Sequence, residues 1–231
     1  LKRKKVKFDL KKKIMLIEKN GIKISFGRAV GHLVEDFIGT AKQRIYIISP
    51  WISPKYAELL LKKKEKGCDV FLITTNDTSN TQHLSSLKML LEKKVEAPKL
   101  RNYLPYLFAA SVLFLFLSIF SLIFLIPFFL LLLVCMYLFF KKEKVSFAFK
   151  LPMIVYNKDN DFTHSKLYVL DDIAIIGSAN FTESGLWRNI EEVVIFSDKS
   201  TVEEIVEIFN RIKENELIKQ LTPDEVGKEI E

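Results

Sequence analysis

At 231 residues the chain has room for one ordinary domain and one insertion, which excludes a large multidomain architecture. Thirty-five Lys and Arg against 28 Asp and Glu give a formal charge of +7, which favours anionic partners: nucleic acid, acidic lipid head groups or phosphate in general. Two cysteines, Cys68 ahead of a predicted strand and Cys135 inside an apolar block, do not make a disulfide framework and point to a reducing, cytosol-facing protein.

Residues 1–21 read as a basic arm. Eight of the first thirteen residues are Lys or Arg, and the segment has no apolar run of signal-peptide length. Such an arm is either a solvated tail or a surface that docks on anionic lipid or nucleic acid.

Residues 22–100 read as the first part of a globular domain. The alternation at 22–26 predicts a short strand. The periodicity of 28–43 puts Val30, Leu33, Val34, Phe37 and Ile38 on one helical face. A β-rich run at 44–52 is broken by Pro50. Pro54 then opens, and Gly67 closes, a predicted helix. The run at 69–75 has the length of a buried strand, and 83–94 reads as a further helix. Strands alternating with helices imply an α/β fold with a mixed, largely parallel central sheet flanked by helices.

Residues 103–140 contain no Lys, Arg, Asp, Glu or His. As one straight helix they would reach about 57 Å, against a hydrocarbon core of about 30 Å. A single span would also part the strands before the block from those after it. The sequence therefore predicts a transmembrane or re-entrant helical hairpin over 101–144, turning near 125–128. Lys93, Lys94, Lys99 and Arg101 on one side and Lys141, Lys142 and Lys144 on the other put both ends in the cytoplasm. The domain resumes at 145–216, with strands at 153–157, 166–171, 173–177 and 191–198 and an amphipathic helix at 201–216. Residues 217–231 read as a loose acidic tail.

The chemistry lies in 164–191. On a strand His164, Lys166 and Tyr168 share one face. An imidazole beside an ammonium suits a phosphodiester: Lys166 neutralises phosphoryl oxygens while His164 attacks phosphorus or moves a proton. Ser178 and Asn180 add neutral donors to the same oxygens, and Gly177 allows close backbone approach. Asn189 supports the site, and Glu191 would fix the tautomer of His164. Tyr46 and Trp51, at strand ends, are candidate cleft walls or core residues. His32 and His83 lack a lysine partner and read as surface or packing residues.

This pattern of His164-x-Lys166, four residues, Asp171, then Gly177-Ser178-x-Asn180 and Asn189-x-Glu191 resembles the phospholipase D superfamily. The spacing from Asp171 to Gly177 is one residue shorter than usual, which leaves Asp171 or Asp172 for the aspartate position. The resemblance implies a phospholipase D-like domain and a phosphohistidine intermediate, with no metal and no cofactor. It also implies two catalytic histidines. One motif per chain then implies a homodimer with a shared site. Two substrate classes follow: nucleic acid, as in single-motif endonucleases, or phospholipid, hydrolysed or transferred. A non-catalytic phosphate-binding module at the membrane is the third reading.

Overall fold

The structure is a computed structural model that describes residues 6–9, 14–19, 21–160, 162–215 and 218–231. It divides into two compact units, residues 1–92 with 147–231, and residues 93–146. In chain order the elements are β1 Val6–Asp9, β2 Ile14–Lys19, β3 Ile22–Arg28, α1 His32–Thr40, β4 Arg44–Ile48, α2 Pro54–Glu65, β5 Asp69–Thr75, α3 Thr81–Leu90 and β6 Leu91–Glu96. They continue with α4 Leu104–Leu117, α5 Leu125–Phe140, β7 Lys144–Phe149, β8 Met153–Tyr156, β9 Leu167–Leu170, β10 Ile173–Gly177, β11 Ile190–Phe196, α6 Lys199–Lys213 and α7 Pro223–Ile230.

The first unit is built on a nine-stranded sheet in the order β1-β2-β3-β11-β10-β9-β4-β5-β8. Strands β8 and β9 are buried on both faces, which is why they read as unbroken apolar runs. One face carries Ile45, Ile47, Leu72, Val155 and Tyr168. It packs against Val34 and Ile38 of α1, Tyr56 and Leu60 of α2, and Leu87 and Leu90 of α3. The other face carries Ile48, Ile73, Val169 and Ala174 and is covered by Val202, Ile205, Val206 and Phe209 of α6. The side chains buried on α6 recur at helical spacing, so one stripe of that helix is enough to seal the face.

The expected mixed α/β sheet flanked by helices is present, but the share of parallel pairing is smaller than the sequence suggested. Among the described strands, β4–β5 and β5–β8 are the parallel pairs. The pairs β1–β2, β2–β3, β3–β11, β11–β10, β10–β9 and β9–β4 are antiparallel. The reason lies in connection length: β2–β3 and β9–β10 are joined by tight turns, which permit only antiparallel neighbours.

Within the segment read as an arm, residues 6–9 and 14–19 are β1 and β2. Residues 1–5, 10–13 and 20 lie outside the described residues. The predicted helix at 83–94 stops at Leu90, because the chain from Leu91 pairs with the returning β7 in a two-stranded ribbon. That tertiary pairing overrides the local helical preference. The tail contains α7, which the sequence reading missed. A capping box between Thr222 and Glu225 starts it, and Val226, Gly227 and Ile230 are buried in the core.

In the second unit a 3₁₀ turn at Lys99–Tyr103 leads into α4, and a second one at Leu122–Phe124 leads into α5. The stretches Lys99–Leu117 and Leu122–Phe140 are each long and apolar enough to cross a membrane. At 19 residues each they reach about 28 Å. The reversal falls at 118–121 rather than at the expected 125–128. Ser118 Oγ donates to Leu115 O at 2.6 Å and helps close the end of α4. Pro127 instead sits in the first turn of α5, where a missing N–H breaks no helical hydrogen bond.

Candidate active site

β9 and β10 form a hairpin whose turn is Asp171-Asp172, with Leu170 paired to Ile173. At the open end of this hairpin, His164 to Lys166 lead into β9, Gly177 and Ser178 leave β10, and Glu191 enters β11. The backbone ladder continues past β9, since Gly177 N donates to Lys166 O at 3.2 Å. The sheet register therefore gathers Lys166, Ser178 and Glu191 at one place.

Lys166 is 4% exposed. Its ammonium donates to His164 O at 2.7 Å, which ties the lysine to the backbone of the histidine it serves. Burial pushes the Lys166 pKa down, and the nearby Glu191 carboxylate opposes that. Tyr168, two residues on, is fully buried and donates from its hydroxyl to Ala179 O at 2.6 Å, fixing the chain between Ser178 and Asn180. Burial pushes this phenol far up, so it stays neutral.

Glu191 is 8% exposed. One of its oxygens accepts from Ser178 Oγ, and the other accepts from Asn189 Nδ2 at 3.1 Å. Ser178 Oγ accepts in turn from Glu192 N at 3.0 Å. The sequence reading aimed Glu191 at His164. Among the described residues no hydrogen bond joins the two, because His164 lies ahead of the strand and its exposed ring turns to Trp51 and Phe162. The ring centroids are 6.3 Å from Trp51, edge-on, and 6.0 Å from Phe162. The Asn180 side-chain oxygen is buried and unpaired.

Gly177 is required by space. A Cβ there would lie 2.1 Å from Glu192 O. Gly177→Ala must therefore push β10 from β11 and is expected to destabilise the fold by about 2 kcal/mol or more. That corresponds to about 4–8 °C in Tm; a variant that melts with the wild type in calorimetry contradicts the close approach.

Asp171 is not brought to this cluster. It sits at the opposite end of β9, where its carboxylate accepts from the backbone N–H groups of Lys42 at 2.9 Å, Gln43 at 2.8 Å and Arg44 at 3.0 Å. Arg44 Nε returns a bond to Asp171 O at 2.9 Å. Burial alone would raise the carboxyl pKa, and the backbone donors of Arg44, Lys42 and Gln43 outweigh it and hold it low. The geometry gives this clamp to Asp171, while Asp172 is exposed.

Tyr46 also lies away from the site, stacked on Phe209 at 5.1 Å beneath α6. Trp51 is at the site, and a support that the sequence reading missed holds it there. Trp51 Nε1 donates to Asp77 Oδ2 at 2.9 Å. The next residue is anchored by His83, whose Nδ1 accepts from Ile52 N at 3.1 Å while Nε2 bonds Thr75 O at 2.8 Å. Burial pushes the His83 pKa down, so it is a neutral packing histidine. Phe162, Asp77 and His83 belong to no spaced pattern, and 76–82 reads in sequence only as a polar loop. His32 bonds Ala29 O at 2.6 Å and packs on Trp187 at 5.7 Å.

Residues 136–213 match the family described as "Cardiolipin synthase, PLD-like domain", a span that contains every motif residue above. No curated protein matches the chain. Among solved structures the chain is similar to Nuc from Salmonella typhimurium, described as a phospholipase D family member, at 14% identity and TM-score 0.49, covering 87% of this chain and 98% of that one. It is also similar to NucT from Helicobacter pylori at 14% identity and TM-score 0.46, covering 87% of this chain and 99% of that one. A third likeness is to the phosphatidylserine synthase of Haemophilus influenzae at 15% identity and TM-score 0.48, covering 94% of this chain and 47% of that one. Residues 136–213, about a third of the chain, thus match a phospholipase D-like domain, and over that span the chain is similar to the phospholipase D superfamily.

Proposed function

We propose that the chain is a membrane-held phosphodiesterase that cleaves nucleic acid through His164. The observation that carries this reading is an exposed His164 imidazole that makes no hydrogen bond among the described residues, on a backbone whose carbonyl is held by the buried Lys166 ammonium, in one motif with a Ser178–Glu191–Asn189 hydrogen-bonded chain. Lys166 and the Asn180 side-chain amide bind the non-bridging oxygens, and Ser178 joins them when its hydroxyl turns from Glu191 to the substrate. A ring nitrogen of His164 attacks phosphorus, a P–N bond forms, and the P–O bond to the leaving alcohol breaks. A second histidine gives that alkoxide a proton, then takes one from the water that releases the phosphoryl group.

The second histidine has to come from elsewhere. His83 is buried with both nitrogens bonded, and His32 is held by Ala29 and Trp187. We assign the role to the partner subunit's His164 in a two-fold homodimer. Nucleic acid is favoured by the charge of +7 and by the aromatic faces of Trp51 and Phe162 beside the imidazole, which suit base stacking. The apolar helices α4 and α5 favour a second reading, a phospholipid hydrolase or phosphatidyltransferase at the head-group level. In either case the hairpin anchors the chain with its catalytic domain on the cytoplasmic side. A module that binds phosphate groups without turnover is the third reading; a covalent phosphohistidine on His164 rules it out.

Cleavage of single-stranded or nicked nucleic acid is expected to persist in EDTA. Protein that leaves nucleic acid intact but releases head groups from vesicles selects the lipid reading. Mixing excess His164→Ala subunits with wild type is expected to depress activity as inactive heterodimers form; an active monomer argues against the shared site.

A further inference from the structure

The second unit carries a cavity of its own. About 370 Å³ in volume, it is lined by Glu96, Ala97, Pro98, Lys99 and Leu100 from the entry to the hairpin and by Lys141, Lys142 and Lys144 from its exit. The ribbon of β6 and β7 brings these two stretches together. Four lysines and one glutamate thus line it. The other nearby acid, Glu143, is taken by Arg101 at 2.9 Å. Lys141 lies over the Tyr137 ring at 5.7 Å, and no ion pair holds Lys99, Lys142 or Lys144 among the described residues.

The position matters as much as the charge. The cavity lies where the chain enters and leaves two apolar helices of membrane length, which carry the exposed Tyr103, Tyr106 and Tyr137 near these ends. Exposed tyrosines at the ends of such helices mark the level of lipid head groups. Ala97, Pro98 and Leu100 give the same cavity an apolar wall.

We propose that this cavity binds the phosphoryl head group of an anionic membrane lipid. It is a second phosphate site, built wholly from residues 96–144, and it rests on the membrane reading of the hairpin. Ammonium groups gathered from both chain ends neutralise the phosphoryl oxygens, and the apolar wall meets the glycerol and upper acyl carbons. The bound lipid would tie the two ends of the hairpin together.

The test uses the full chain and two variants in which Lys99, Lys141, Lys142 and Lys144 are all changed, to Gln in one and to Arg in the other. Each is reconstituted into phosphatidylcholine vesicles with or without phosphatidylglycerol, and retained lipid is read by native mass spectrometry after mild detergent extraction. Wild type and the Arg variant are expected to prefer phosphatidylglycerol by about tenfold or more, and the Gln variant to lose that preference. Equal retention by wild type and the Gln variant overturns the proposal, as does displacement of the lipid by inorganic phosphate alone, which makes a soluble anion the occupant. Flotation separates the two readings. Wild type that floats with phosphatidylcholine vesicles but shows no anionic preference sinks the lipid site alone. Wild type that floats with no vesicle sinks the membrane reading with it.

Discussion

His164→Ala is expected to lower phosphodiester turnover by about a thousandfold or more while leaving Tm within about a degree of wild type. Both halves follow from placement. The ring is exposed, makes no hydrogen bond to the rest of the described chain, and has Trp51 and Phe162 as its aromatic neighbours, so its loss removes little packing. Chemically it has no substitute, because His83 is locked in the core and His32 is engaged on Trp187. The decisive measurement is single-turnover cleavage with a labelled substrate, followed by acid- and base-stability of any adduct. A phosphohistidine is acid-labile and should be missing from the variant. If the variant cleaves at the wild-type rate, the nucleophile is another group and the mechanism proposed here is wrong.

Asp171→Ala is expected to act through the fold, by about 2–4 kcal/mol of stability. Its carboxylate closes three backbone N–H groups at the start of β4. The residue also holds φ at 51°, a conformation that aspartate and asparagine tolerate better than alanine. Asp171→Asn should therefore lose less, keeping the turn and one acceptor oxygen. The pH dependence has a definite sign. A carboxyl held low in the folded chain contributes stability that is full above its unfolded pKa, about 3.9, and is lost as pH falls through the lower folded value. Urea unfolding of wild type should weaken through that acid window, and Asp171→Ala should show a flatter profile. A variant as stable as wild type, with unchanged acid sensitivity, contradicts the clamp. Residual activity measured below its melting range should remain, which separates Asp171 from His164 although both stand in one motif.

That separation marks what could be read without coordinates. Periodicity found the strands around the site, since β8, β9 and β10 are short apolar runs bounded by turns, and it found α6 from one buried stripe. It overstated parallel pairing because strand order is not written locally: β11 joins β3 across more than 160 residues of chain, in register from Ile190 with Arg28 to Phe196 with Ile22. The motif spacing singled out Lys166, Ser178 and Glu191, which the ends of β9, β10 and β11 bring together, and His164 just ahead of β9. It could not tell that Glu191 serves Ser178 rather than His164, because that depends on where β9 begins. Trp51 was a candidate cleft wall and His83 a candidate packing residue, but the support that Asp77 and His83 give to Trp51 and Ile52 was out of reach for the same reason. Their relation is a contact between the end of β4 and the start of α3, set by packing. The helix α7 was hidden by its charge, since four of its eight residues are charged and its three buried positions become visible only with a surface to cover.

The hydrogen bond from Lys150 N to Leu90 O, 2.8 Å long, brings the two sides of the insertion back together in the first unit. Strands on both sides of it share the sheet: β4 lies between β5, made before the insertion, and β9, made after it. During synthesis the sheet therefore stays open at its middle until residues 93–146 have been delivered and the chain has come back. The half-built layer exposes β4 and β5 edges throughout that interval, so anything that delays placement of the hairpin lengthens the time in which those edges can pair wrongly.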